Sequence, residues 1–103
     1  MKHLYRFLAL AWAAIIFYLS SQPGSQVGIP PPWDKLAHFG AYALLSLLLV
    51  KGGFSAPTAV ILASLYGAGD EWHQSFVPGR DASIGDVLAD AAGALFAAIG
   101  SAR

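Results

Sequence analysis

The stretch Pro57-Thr58-Ala59-Val60-Ile61-Leu62-Ala63-Ser64-Leu65-Tyr66-Gly67-Ala68-Gly69-Asp70-Glu71-Trp72-His73-Gln74-Ser75-Phe76 decides how this chain folds. It is almost wholly apolar for its first two thirds and close to the ~20 residues that a helix needs to cross a bilayer. Its far end then carries two adjacent carboxylates and an imidazole. A carboxylate at the centre of a bilayer costs roughly 2.5–3.5 kcal/mol on insertion scales, so acids beside such a run are rare and usually functional. A segment of this kind needs neighbours that screen its acids from lipid.

Those neighbours can be read on either side. Further apolar stretches run from about Leu4 to Leu19, Leu36 to Val50 and Ile84 to Ile99. In lipid every backbone polar group must be paired within the chain, which leaves helices as the spanning element. The expectation is an all-α integral membrane bundle of four transmembrane helices, one domain over residues 1–103. Lys2 and Arg6 ahead of the first apolar run also fit a signal peptide, with Ser20-Ser21 as the cleavage region. An A-x-A-like site is missing, however, and Tyr18 and Leu19 crowd the position, so a retained helix is expected.

Composition agrees. Of 103 residues, 56% are hydrophobic and 12% charged, where a soluble domain carries about a quarter charged. The formal net charge is +0, which argues against nucleic acid as a partner, because phosphate neutralisation needs clustered Lys and Arg. With no cysteine, neither a disulfide framework nor a thiolate metal site can form.

If the four segments alternate in direction, Lys2, Arg6, Lys51 and Arg103 fall on one side, and Lys35 and Arg80 on the other. Excess Lys and Arg mark the cytoplasmic face, so both termini are expected to be cytoplasmic. All six acids (Asp34, Asp70, Glu71, Asp81, Asp86 and Asp90) then gather toward the outer face. Pro30-Pro31-Pro32 reads as a stiff, extended lead into the second helix.

Residues three or four apart share a helix face. Asp34, His38 and Tyr42 form one polar stripe. Asp70, His73, Gln74 and Val77 form a second, with Glu71 one position around. Asp86, Asp90, Gly93 and Ala97 form a third. Facing one another, the three would line a polar pocket open to the outside. Gly40, Gly67, Gly69, Gly85, Gly93 and Gly100 are small enough to let helices approach closely. Ser55 and Ser83 read as N-caps, and Ser83 with Asp86 has the form of a capping box. Asp90, a turn further on, has no such role. Val77-Pro78-Gly79-Arg80 reads as a helix stop and tight turn that sets Arg80 at the pocket mouth, as a carboxylate partner or a fork for an anionic ligand. His73 reads as an interfacial residue facing water. Trp12, Tyr18, Trp33, Tyr66 and Trp72 read as interface anchors, with Trp33 and Trp72 able to shape the rim.

The string Asp70-Glu71-Trp72-His73-Gln74-Ser75-Phe76-Val77-Pro78-Gly79-Arg80, followed by Asp86, Asp90 and Gly93, resembles the signature of the VanZ-like family. So do Asp34-Lys35-Leu36-Ala37-His38-Phe39 with Tyr42, and Ser20-Ser21-Gln22. The likeness extends from about Phe17 to Gly93. It implies a small multi-pass protein of the bacterial cytoplasmic membrane, in a family named for resistance to the glycopeptide teicoplanin. At one position the chain departs from the resemblance, which leads us to expect Asn where this sequence has Asp90.

Three functions follow as expectations. In the first, an enzyme acts on a lipid-linked envelope molecule at the outer boundary, with Asp70, Glu71, His38 and Asp86 as acid–base residues and Asp34, Lys35, Tyr42, Gln74, Arg80 and Asp90 as substrate contacts. The six acids against Lys35 and Arg80 leave this region near −4 (6 − 2) if all ionise. A phosphorylated substrate would then require a bound cofactor cation such as Mg2+, Mn2+ or Zn2+. In the second, the protein binds a lipid or antibiotic or modulates an envelope enzyme, and the polar groups form a satisfied structural network. The third, ion-coupled transport, fits less well, because no acid lies in the inner half of a span. The lipid bilayer is an expected partner, with a lipid-linked envelope precursor as a further one, and four short helices leave room for a homo-oligomer.

Overall fold

The computed structural model describes residues 1–22, 33–78 and 84–101. Among these the chain is all-α: α1 (Lys2–Ser20), α2 (Trp33–Lys51), α3 (Ala56–Gln74) and α4 (Ile84–Ser101). Each follows an apolar stretch of the sequence with its polar flanks added, as in α2, which takes in Trp33, Asp34 and Lys35 at its start. Nineteen residues of helix reach about 28 Å, close to the hydrocarbon thickness of a bilayer. Two of the four, α1 and α4, are both long and apolar enough to cross a membrane.

Local chemistry sets the ends. Gly53 takes φ +103 just after α2, a left-handed conformation that glycine adopts without strain. Ser55 caps α3 by accepting from the Thr58 amide at 3.3 Å, and a proline follows in the first turn, where its missing N–H costs nothing. Pro30–Pro32, Arg80, Asp81, Ser83 and Arg103 lie outside the described residues.

α2 packs against all three other helices, and α4 also packs against α3. The closest approach is between α2 and α4, where a Cβ on Gly93 would collide with the Phe39 carbonyl. Ser46 Oγ donates to the Ala94 carbonyl at 2.8 Å nearby. Trp12 Nε1 donates to Ala41 O at 2.8 Å, tying α1 to α2. The Tyr66 hydroxyl donates to Ala13 O at 2.6 Å, tying α3 to α1. Trp12 and Tyr66 are therefore helix clamps rather than the interface anchors expected from their sequence positions. Tyr18, Trp33 and Trp72 are exposed, as anchors would be. Gly67 and Gly93 serve close packing as expected, but Gly40, Gly69 and Gly100 have open space where a side chain would be.

The interior is inverted relative to a soluble bundle. The largest fully buried side chains are Tyr42, Asp90 and Ser46, all polar, and the buried apolar residues are mostly alanines. Large apolar side chains lie outside on every helix, among them Phe7, Leu10, Leu36, Ile61, Leu65, Leu88, Phe96 and Ile99. Small and polar inside with bulky and apolar outside suits a lipid surround.

The helices run in alternating directions. Arg6 Nε donates to Gly52 O at 2.7 Å, Arg6 lies over the Phe54 ring at 5.3 Å and Lys51 over Tyr5 at 5.7 Å. The basic residues Lys2, Arg6 and Lys51 thus share one end of the bundle. The acids gather at the other.

Candidate functional site

The three polar stripes meet at the acidic end. α2 supplies Asp34, Lys35, His38 and Tyr42; α3 supplies Asp70, Glu71, His73 and Gln74; α4 supplies Asp86 and Asp90. Lys35, His38 and Tyr42 are three and four apart and so share one face of α2. Lys35 Nζ lies 2.7 Å from Asp86 Oδ1 and 3.0 Å from Asp34 Oδ2. One turn deeper, His38 Nδ1 lies 2.8 Å from Asp90 Oδ1, and its Nε2 stands 3.7 Å from Asp86 Oδ2. The Tyr42 hydroxyl, a further turn in, donates to Asp70 Oδ2 at 3.4 Å.

Asp70 is also held from α1, whose Ser20 Oγ donates to Asp70 Oδ1 at 2.6 Å. Next to it, Ser21 Oγ and His73 Nε2 are 3.1 Å apart, and the His73 ring stacks on Phe17 with centroids 4.7 Å apart. The sequence points to Ser20 and Ser21 as a cleavage region and as part of the family resemblance, but not as partners of Asp70 and His73. A pair of small hydroxyl residues closing an apolar helix at the acidic end was the available sign. His73, expected to face water, is half-buried against α1. Glu71, expected one position around from the stripe, is buried with Gly67, Asp70 and Gln74.

Asp90 is 1% exposed, so it is a core residue. Gly67 makes room for it: a Cβ there would stand 2.8 Å from Asp90 Oδ2. Asp86 is buried at the first turn of α4, and its contacts with Lys35 and His38 give it more than a capping role. Lys35, whose side chain is partly exposed, is the cation that joins α2 to α4. Asp34, on the outer side of Lys35, is the least enclosed of these acids. His38, Glu71 and Asp86 each offer one ligand atom, and the three atoms lie within 4.8 Å of one another.

A cleft of about 140 Å3 opens onto this cluster between α1, α2 and α3. One wall is apolar, from Trp12, Ile16 and Leu19 of α1, and the opposite side offers His38, Tyr42, Asp70 and Gln74. A ligand lying there meets hydrocarbon on one side and acid–base groups on the other.

An all-α bundle with two membrane-length apolar helices, bulky apolar residues outside and buried carboxylates inside is the architecture of a small membrane protein. More particularly, the chain belongs to the VanZ/LLP1 family, whose model matches residues 5–102. No curated protein and no solved structure matches it.

Proposed function

We propose that this protein crosses the bacterial cytoplasmic membrane four times, with both termini cytoplasmic, and that its acidic end faces outward and handles a lipid-linked envelope molecule. The observation that carries this reading is the two-sided cleft at His38, Tyr42, Asp70 and Gln74. A lipid-linked molecule has a polar head and a long hydrocarbon tail, so it fits a slot that is apolar on one wall and polar on the other. The bulky apolar exterior of α2 and α3, at Leu36, Leu44, Ile61 and Leu65, supports spanning for these two helices as well. Their acids Asp34, Asp70 and Glu71 are partly or wholly buried in the bundle, so they are turned away from lipid.

Within the cleft, His38 paired with Asp90 is suited to move a proton, because a carboxylate that accepts from one ring nitrogen orients the other toward the reacting group. Asp70, fixed by Ser20 and Tyr42, is suited to accept from a hydroxyl of the head group. Through this activity the protein would contribute to tolerance of glycopeptides such as teicoplanin, the phenotype for which the family is named.

A second reading has its own support: most of these polar groups already bond to one another. Ser20–Asp70, His38–Asp90 and Lys35–Asp86 would form a network whose work is to hold the helices together, with ligand binding but no reaction.

Separate His38→Gln and Asp70→Asn variants distinguish the two. Teicoplanin susceptibility of the cells is measured beside the folded yield of each variant in detergent. The proposal expects susceptibility to rise while yield is kept. Loss of yield in both variants would assign the groups to structure. Stable variants with unchanged resistance would end the proposal.

A further inference from the structure

At the end of the bundle opposite the acids, the charged side chains among the described residues are all basic. Lys2 and Arg6 come from α1 and Lys51 from the last turn of α2. All three are exposed. The ion pairs of the described residues lie at the far end, on Lys35 and His38.

Two of these cations converge. Gly53 turns left-handed after α2, and a Cβ on it would stand 3.1 Å from Lys2 Cδ and 3.4 Å from Arg6 Nη2. Lys2 and Arg6 thus lie side by side against one bare stretch of backbone. Arg6 is also held in place, because Nε donates to Gly52 O at 2.7 Å and the guanidinium lies over the Phe54 ring at 5.3 Å. Its two Nη groups make no hydrogen bond to a described residue, which leaves a fixed fork beside an ammonium. Two like charges held together without a carboxylate favour an anion between them, and a guanidinium fork matches phosphate oxygens.

Arg6 has a second setting. It lines one end of an apolar groove of about 380 Å3 between α1, α2 and α3, within the roughly 300–1,000 Å3 typical of small-molecule sites. The walls are Leu10 of α1, Leu45 and Leu49 of α2 and Leu62 of α3, with Phe54 beside Arg6. From Arg6 to Ala13 the groove follows two turns of α1, about 11 Å. The Tyr66 hydroxyl, bonded to Ala13 O at 2.6 Å, bridges α3 and α1 at its inner limit and divides it from the outer cleft. Positive charge at one end and hydrocarbon along the rest is the complement of a phospholipid, with phosphate at Arg6 and an acyl chain in the groove. A zwitterionic lipid brings its own cation toward Lys2 and Lys51, whereas an anionic one does not. Basic clusters at the end of a span also draw anionic lipids to them.

We propose that this groove at the basic end binds one anionic phospholipid of the surrounding leaflet. Arg6 and Lys2 grip the phosphate, Lys51 adds charge at the mouth, and one acyl chain lies along Leu10, Leu45, Leu49 and Leu62. The site goes beyond the reading of the outer cleft and shares no residue with it, so either can fail without the other.

The test uses the full chain in detergent, titrated with phosphatidylglycerol or with phosphatidylcholine of the same acyl chains and read by native mass spectrometry. One phosphatidylglycerol per chain should be retained, roughly tenfold or more tighter than phosphatidylcholine, as two basic contacts of ordinary strength give. Arg6→Gln should remove most of that preference and Lys2→Gln part of it. Lys35→Gln deletes the same charge at the opposite end and should leave the preference unchanged. Leu62→Trp, at an exposed wall position, should weaken both lipids alike by filling the groove. The wild-type comparison does not depend on any variant folding. Equal binding of the two lipids by wild-type protein would overturn the proposal and assign the groove to ordinary bilayer contact. A preference lost as fully in Lys35→Gln as in Arg6→Gln would overturn it in favour of net charge. Glycerol phosphate competing as well as the whole lipid would overturn it too, since the anion would then bind without the groove.

Discussion

His38 and Asp90 are 52 residues apart in the chain, yet their Nδ1 and Oδ1 atoms are 2.8 Å apart at the centre of the polar cluster. The pair joins α2 to α4 one to two turns below the acidic end, and Asp90 is almost wholly enclosed. Removing one member of a buried pair strands the other, which typically costs about 1–3 kcal/mol. Asp90→Ala should therefore lower unfolding stability in detergent by about that much. Asp90→Asn keeps an oxygen that can accept from His38 and should cost about 1 kcal/mol or less. Denaturant unfolding followed by circular dichroism measures both, and equal losses in the two variants would contradict the pairing.

The glycines make a sharper comparison. Gly67→Ala brings a methyl group to 2.8 Å from Asp90 Oδ2 and 3.0 Å from Asp90 Cβ, an overpacking that commonly costs about 1–3 kcal/mol. Gly69→Ala, two residues on, meets nothing within 4 Å and should gain up to about 1 kcal/mol from helix propensity. Gly93→Ala presses on the backbone carbonyl of Phe39, which cannot swing aside, and should be the worst of the three. Thermal unfolding of the three variants checks the order.

Ser20 and Tyr42 both donate to Asp70, but at 2.6 Å and 3.4 Å. The short bond should matter more. Ser20→Ala should destabilise the bundle by about 1–2 kcal/mol, and Tyr42→Phe by a few tenths where the hydroxyl alone is lost. A larger loss in Tyr42→Phe would show that Asp70 is held mainly from α2.

How much of this was legible in the sequence differs between levels. The four helices could be read from apolar runs, because a run of that length has few other stable forms. The gathering of acids at one end could also be read, since alternating helices bring the end of α3 to the starts of α2 and α4. The pairings could not. Whether Glu71 or His73 faces inward depends on how α3 is rotated about its axis, and packing at Gly67 against α4 sets that rotation. Trp12 and Tyr66 looked like interface aromatics because nothing in a sequence shows which carbonyls of a neighbouring helix lie within reach. Gly67 and Gly69 look alike in the chain, and only the neighbouring helix separates them. The roles given to Arg80 and Ser83 fall outside the described residues.

The proposed orientation can be read by labelling, since the chain has no native cysteine. Phe76→Cys lies at the acidic end, where the native side chain is exposed, and His3→Cys at the basic end. A membrane-impermeant maleimide should modify the first in intact cells and the second only after permeabilisation. The reverse pattern would invert the orientation, and equal labelling of both in intact cells would contradict spanning.

The most direct measurement of the central claim is photo-crosslinking of a diazirine-bearing polyprenyl phosphate to the purified protein in detergent, with the labelled residues mapped by mass spectrometry. Lipid handling at the two-sided cleft requires label on Trp12, Ile16, Leu19 or Tyr42, removed by excess unlabelled polyprenyl phosphate and reduced in His38→Gln. Label spread evenly over the outer apolar residues of α4, such as Leu88, Phe96 and Ile99, and unaffected by competitor, would contradict it.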